Sequence, residues 1–123
     1  MSNEFLSTEQ EFDVSDAGVP TLVDATVTIT SFEVEEKENG VQHVLTFAAE
    51  GLSFPVTKGY WYSHTNPKAA SAGRGQLKRI ARAATGSTAY SASSLVGRQI
   101  LANVGENDDG FAAISKIREL PAV

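Results

Sequence analysis

The sequence predicts a mainly β domain of five strands with one α-helix between the third and fourth, and three observations carry that prediction. Segments rich in Val, Ile, Thr and Phe recur with a period of two from Thr21 onward, as half-buried strands require. Two tips, Asn39-Gly40 and Asp109-Gly110, carry the strongest short hairpin signal a sequence can show. Only one stretch, Gln76 to Thr85, sets its apolar residues at helical spacing. At 123 residues the chain is one domain, large enough to bury a core without disulfides or metals.

Taken in order, residues 1–18 hold Glu4, Glu9, Glu11, Asp13 and Asp16 with no basic residue and no sustained period. We expect an acidic, mobile arm there. It is a solubilising tail, a competitor for a basic groove, or a docking peptide built on Phe5 and Phe12. Residues 19–123 form the folded domain, which Pro20 introduces. Thr21 to Glu36 reads as one long strand in which Val27 and Ile29 fall on one parity and Phe32 and Val34 on the other. One extra residue near Ser31 restores a common face, so a β-bulge is expected at that point. The charged tip Glu35 to Gly40 leads into a second strand, Val41 to Ala49, and Glu50-Gly51 turns into a third, Leu52 to Ser63. Pro55 lacks the N–H a central strand needs, which argues for an edge position or a bulge at the start of that strand.

His64 to Arg74 reads as a loop of small residues with a turn at Asn66-Pro67. In the helix, Leu77, Ile80, Ala81 and Ala84 share one face and Lys78, Arg79 and Arg82 the other, with Gly86 as its C-terminal stop. A polar connection from Ser87 to Ser94 precedes a fourth strand, Arg98 to Val104. The tip Glu106 to Gly110 turns into a fifth strand, Phe111 to Leu120, read as regular alternation and ended by Pro121. Three strands, a helix and two strands is the layout of an OB-fold-like barrel, a partly open architecture that binds oligonucleotides or oligosaccharides.

Several function classes are disfavoured. No apolar run approaches the roughly 18 residues a membrane span needs, and the polar N-terminus does not resemble a secretory signal. The chain therefore reads as cytosolic, with no membrane partner. The absence of cysteine excludes disulfides, thiolate zinc sites and cysteine nucleophiles. His43 and His64 lack metal-ligand spacing, and neither comes with an Asp in a triad arrangement. The carboxylate pairs Glu35-Glu36 and Asp108-Asp109 sit in hairpin tips, where solvated charge is ordinary. We expect a binding protein without metal or cofactor, not an enzyme.

The net charge of −5 conceals a segregation. From Gly51 to Gly105 the chain has no Asp or Glu, yet it holds Lys58, Lys68, Arg74, Lys78, Arg79, Arg82 and Arg98, the only Trp and every Tyr. Cations that track phosphates, interleaved with flat rings on which bases stack, are what a single-stranded nucleic acid needs. Tyr60, Trp61 and Tyr62 are the candidate stacking residues, divided between core and groove by strand alternation. The seven cations are the candidate phosphate set, with Tyr90 a loop ring able to cover the groove. The same residues also fit a solvated helix face beside an aromatic core strand. An ordinary helix face, however, mixes both signs to gain i,i+4 pairs. Gly73-Arg74-Gly75 reads as a flexible basic loop, since it matches neither GxxxxGK[ST] nor GxGxxG.

The run from Lys58 to Gly97, with its aromatic strand, Asn66-Pro67, small residues, the helix GQLKRIARAATG and Leu95-Val96-Gly97-Arg98, resembles a group of small bacteriophage proteins. These belong to recombination and replication modules and are OB-like single-stranded DNA-binding proteins. The likeness spans Thr21 to Pro121 in element order. It implies a protein that coats single-stranded DNA in the host cytoplasm and hands it to a phage recombinase or polymerase. Such proteins often recruit partners through an acidic C-terminal tail. Here the acidic segment is N-terminal, which puts that mode of recruitment in doubt. Two other classes stay open: a module that binds a host or phage enzyme, with the arm mimicking nucleic acid, and a small virion β-barrel. Pro55 and an open edge at the third strand leave room for a homo-oligomer.

Overall fold

The computed structural model describes residues 11–13 and 18–121. The expected acidic arm, Phe5 included, falls almost wholly outside the described residues. Strand β1 runs Leu22–Lys37, β2 Gly40–Ala49 and β3 Val56–His64; helix α1 (Pro67–Thr85) and a short α2 (Ala92–Leu95) precede β4 (Gln99–Glu106) and β5 (Ala112–Arg118). All strand pairs are antiparallel, in the order β3-β2-β1-β4-β5. The edge strands β3 and β5 are not paired with each other, so the curled sheet is an OB-like half-barrel and not a closed one.

The curl follows from the bulges. The β1–β2 register shifts between Ile29 and Ser31, which brings Phe32 onto the side of Val27 and Ile29, against the core. Strand β1 can then pair with β2 from Val27 to Lys37 and with β4 from Leu22 to Thr28. A second shift lies between Leu22 and Ala25 of β1, and a third between Leu101 and Asn103 of β4 where it meets β5. The residues that absorb these, Asp24 (φ 55) and Lys116 (φ 51), have left-handed backbone. Bulges of this kind bend the strand and raise its twist.

The inner face of the sheet supplies Val27, Ile29, Leu45, Phe47, Ile100 and Ala102, and it packs on Leu77 and Ile80 of α1 and Leu95 of α2. The shared face expected for the helix is thus the one buried. No helix among the described residues is long and apolar enough to cross a membrane.

Four expectations are corrected. The helix starts at Pro67, so His64 to Arg74 is not a loop and Gly73-Arg74-Gly75 lies inside α1. Asn66 is the N-cap, its side chain accepting from the Lys68 N–H at 2.9 Å, and Pro67 follows at the first turn. Proline is tolerated there because its missing N–H has no helical partner anyway. The alanines at 69, 70 and 72 then propagate the helix as good helix formers. Strand β3 begins at Val56, not Leu52, because Pro55 cannot donate to a ladder. The fifth strand does not alternate regularly, since the Lys116 bulge brings both Ile114 and Ile117 to the core. The polar connection contains α2, closed by a capping box between Ser91 and Ser94.

Candidate nucleic-acid interface

A groove of about 850 Å³ opens between β2, β3, α1 and the loop that follows α1, within the size range of ligand clefts. Its aromatic wall is His43, Tyr62 and Tyr90, and its basic wall is Arg74, Lys78 and Arg82. The sequence elements explain the convergence. His43 shares the parity of Leu45 and Phe47 on β2 and so turns to the inner side, near the mouth of the half-barrel. Across from it, β3 bulges: Val41 pairs with Ser63 and Gln42 with Trp61, leaving Tyr62 without a partner of its own. Tyr62 thereby reaches the rim, 42 % exposed, whereas Tyr60 stays in the core at 5 %.

The rings are organised around His43. Its imidazole stacks on Tyr62 with centroids 4.5 Å apart and planes 10° from parallel, and it meets Phe32 and Tyr90 edge to face. The His43 Nδ1 and the Tyr90 hydroxyl are 2.6 Å apart. Burial, and then the positive charge of Arg74, hold the His43 pKa below its ordinary 6.5. A neutral ring protonated on Nε2 leaves an Nδ1 lone pair to accept from Tyr90 O–H. Burial foremost, with Tyr62 adding to it, pushes the Tyr90 hydroxyl up to about 12 against the opposing pull of Arg74, so Tyr90 keeps a proton to donate. The Arg74 guanidinium lies over the Tyr62 ring at 4.6 Å and donates from Nη1 to the Tyr62 carbonyl oxygen at 3.2 Å.

Arg74, Lys78 and Arg82 are four residues apart on α1, one helical turn each, so their charges form a row with a step of about 6 Å. Among the described residues, Lys37 pairs with Glu35 and Arg118 with Asp24. Neither pair neutralises this row, which is free to meet an anionic ligand.

The structure thus brings four of the predicted residues into one groove: Tyr62, Arg74, Lys78 and Arg82. Arg79 lines a separate depression on the other side of the same row. The rest lie elsewhere. Tyr60 is a core residue whose hydroxyl is pushed up to about 12 by burial, so its ring is closed to a base. Trp61 is half-buried and meets His64 edge-on at 4.4 Å, away from the groove lining. Lys58 is exposed on β3, its ammonium 5.4 Å from the Tyr60 ring. Lys68 is in the first turn of α1, and Arg98, past α2, donates from Nε to the Ser94 carbonyl.

His43 was missing from the predicted site, and Tyr90 entered only as a loop ring. The parity of His43 on β2 was a usable signal, but its stacking on Tyr62 depends on a bulge in the neighbouring strand. Another depression, about 700 Å³ on the outer side of β1, is lined by Thr26, Thr28, Ala49 and Glu50 among others. It has no ring and no cation, so it offers nothing to a nucleic acid. A scan against protein-family models, a search of curated proteins and a search of solved structures each found no match to this chain.

Proposed function

We propose that this protein binds single-stranded nucleic acid without regard to sequence and without catalysis, through the groove between β2, β3 and α1. The observation that carries the reading is the meeting of an aromatic wall with a row of unneutralised cations across one cleft. A base entering the groove stacks on the rim ring Tyr62, which His43 backs, as the Arg74 guanidinium lying over that ring turns aside to a phosphate; every base has a face to stack. The phosphates of the same strand meet Arg74, Lys78 and Arg82. The Tyr90–His43 hydrogen bond holds the loop ring in place before a ligand arrives, which lowers the ordering cost of binding. The bacteriophage resemblance of the sequence is consistent with single-stranded DNA as the ligand, and a role in replication or recombination belongs to the same proposal.

The test is fluorescence anisotropy of a labelled oligo-dT at several salt concentrations. Three phosphate contacts to a single strand correspond to a slope of log affinity against log salt of about −2. Retention that does not depend on salt, or no retention, removes the proposal. Trp61 emission is a poor readout, because the indole lies outside the groove lining.

A further inference from the structure

We infer that the site has a second subsite on the far side of α1, and that a strand held in the aromatic groove crosses the helix at Gly75 to reach it. This inference rests on the nucleic-acid reading of the first groove. A depression of about 430 Å³ is lined by Arg79, Ala83, Ile117 and Arg118, and it shares Gly75, Lys78 and Arg82 with the aromatic groove. The two hollows are therefore separated by a single ridge of the helix surface, not by a wall of the fold.

The ridge is low where a chain would cross it. A Cβ placed on Gly75 would meet nothing within 4 Å, so no packing requirement demands glycine there, and its conformation does not either, since it is an ordinary helical residue. Glycine in a helix interior costs about 1 kcal/mol relative to alanine. Its presence between two cationic hollows is explained if a phosphodiester backbone must pass close to the helix. Lys78 and Arg82 follow the notch by about one and two helical turns and line both hollows, so a strand crossing there stays beside positive charge.

The far hollow is also built for an anion. Arg79 has no carboxylate partner among the described residues. Arg118 is held by the Asp24 carboxylate and the Lys116 carbonyl, which fixes its guanidinium at the hollow's edge. Glu119 is the one acidic residue in the lining, against four cations. The hollow has no aromatic side chain, so it takes the sugar–phosphate chain and not a stacked base. The footprint is thus asymmetric, with bases read as surfaces on one side of α1 and phosphates alone held on the other.

The experiment compares two oligo-dT lengths, about 4 and about 12 nucleotides, spanning the low and middle range of site sizes for one such domain. Arg79→Ala is predicted to leave the short oligonucleotide's affinity unchanged. For the long one it reduces the ratio of affinities at about 50 and 200 mM salt by about 2.5-fold, the effect of one lost phosphate contact. Gly75→Leu, which raises the notch, weakens the long oligonucleotide selectively, and thermal melting of both variants confirms that the fold is kept. Arg74→Ala weakens both lengths. If Arg74→Ala weakens binding but Arg79→Ala and Gly75→Leu act on both lengths alike or on neither, the second subsite is overturned and the first groove stands. If the unaltered protein binds neither length, both readings fall together.

Discussion

Gly73, in the second turn of α1, lies against the backbone of Trp61: a Cβ built on it would sit 2.1 Å from the Trp61 carbonyl oxygen and 2.6 Å from its nitrogen. The helix thus takes the place of a neighbouring strand at the middle of edge strand β3. Covering an edge in this way blocks pairing with another chain. Gly73→Ala is predicted to destabilise the domain by about 1–3 kcal/mol, because backbone cannot rotate away as a side chain can. For a domain of this size each kcal/mol lowers Tm by about 4 °C. Gly75→Ala is the control, two residues along the same helix in open space. Thermal melting should show it unchanged or more stable by up to about 1 kcal/mol. Equal melting of Gly73→Ala and the parent protein would falsify the close approach.

This contact also explains why the helix start was hidden. Two glycines flanking Arg74 read as a loop, and they outweighed the N-cap and Pro signal at Asn66-Pro67. The signal was legible; the tertiary reason for Gly73 was not. The same division runs through the strands. The bulge near Ser31 was legible because the apolar parity changes between Ile29 and Phe32. The bulge at Lys116 leaves a comparable trace, since Ile114 and Ile117 are three apart and both reach the core, but the alternation around them looked regular. In the groove, the acid-free stretch pointed to the right helix face. It could not separate Tyr62 from Tyr60, which share a parity and are told apart by the bulge that leaves Tyr62 without a strand partner. Nor could it bring in His43, which lies outside that stretch.

The bulge at Lys116 offers a second prediction. Its φ of 51 is left-handed, a region that costs a residue with a Cβ roughly 1–2 kcal/mol. Glycine adopts it without that penalty but loses more chain entropy on folding. Lys116→Gly is expected to raise stability by about 0.5–1 kcal/mol in urea denaturation. Lys116→Val, whose branched Cβ tolerates positive φ poorly, should lower it by more. Asp24 also has positive φ, but its carboxylate pairs with Arg118 across β4 and its N–H donates to Asn103 Oδ1 at 3.1 Å. Asp24→Gly should therefore gain less than Lys116→Gly, the relief of strain being offset by a partly exposed ion pair worth up to about 1 kcal/mol.

A third prediction concerns acid. His43 has a folded-state pKa below 6.5 through burial and the charge of Arg74. As pH falls through the unfolded value, the unfolded chain takes up a proton that the folded chain still refuses. Stability therefore declines with falling pH in that window and levels off below the folded pKa. Above the window both states are neutral at this residue and it contributes no slope. Comparing urea denaturation at about pH 7.5 and pH 5.5, the parent protein should lose an increment that His43→Phe lacks. Identical pH dependence in the two proteins would remove His43 as its source. Protonation also makes Nδ1 a donor, and since a phenol oxygen accepts as well as donates, the bond to Tyr90 reverses its direction.

The groove makes the sharpest division among the predicted contact residues, and binding measurements can follow it residue by residue. Tyr62→Ala should weaken oligo-dT by about 1–3 kcal/mol, the range for one stacked base, and Tyr90→Phe should weaken it less, since the ring remains and only its bond to His43 is lost. Removing any one of Arg74, Lys78 or Arg82 should flatten the salt dependence by about 0.7 in slope. Arg74→Ala should do more than the others, because the same guanidinium covers the Tyr62 ring and bonds its carbonyl. Lys58→Ala, Lys68→Ala and Arg98→Ala should leave a short oligonucleotide's affinity as it was, despite removing the same charge, because none of the three lines the groove. Trp61→Phe should be equally silent. If all six cations instead contribute alike, the attraction comes from the net field of the acid-free stretch, and the cleft between His43, Tyr62 and Arg74 is not where the strand lies.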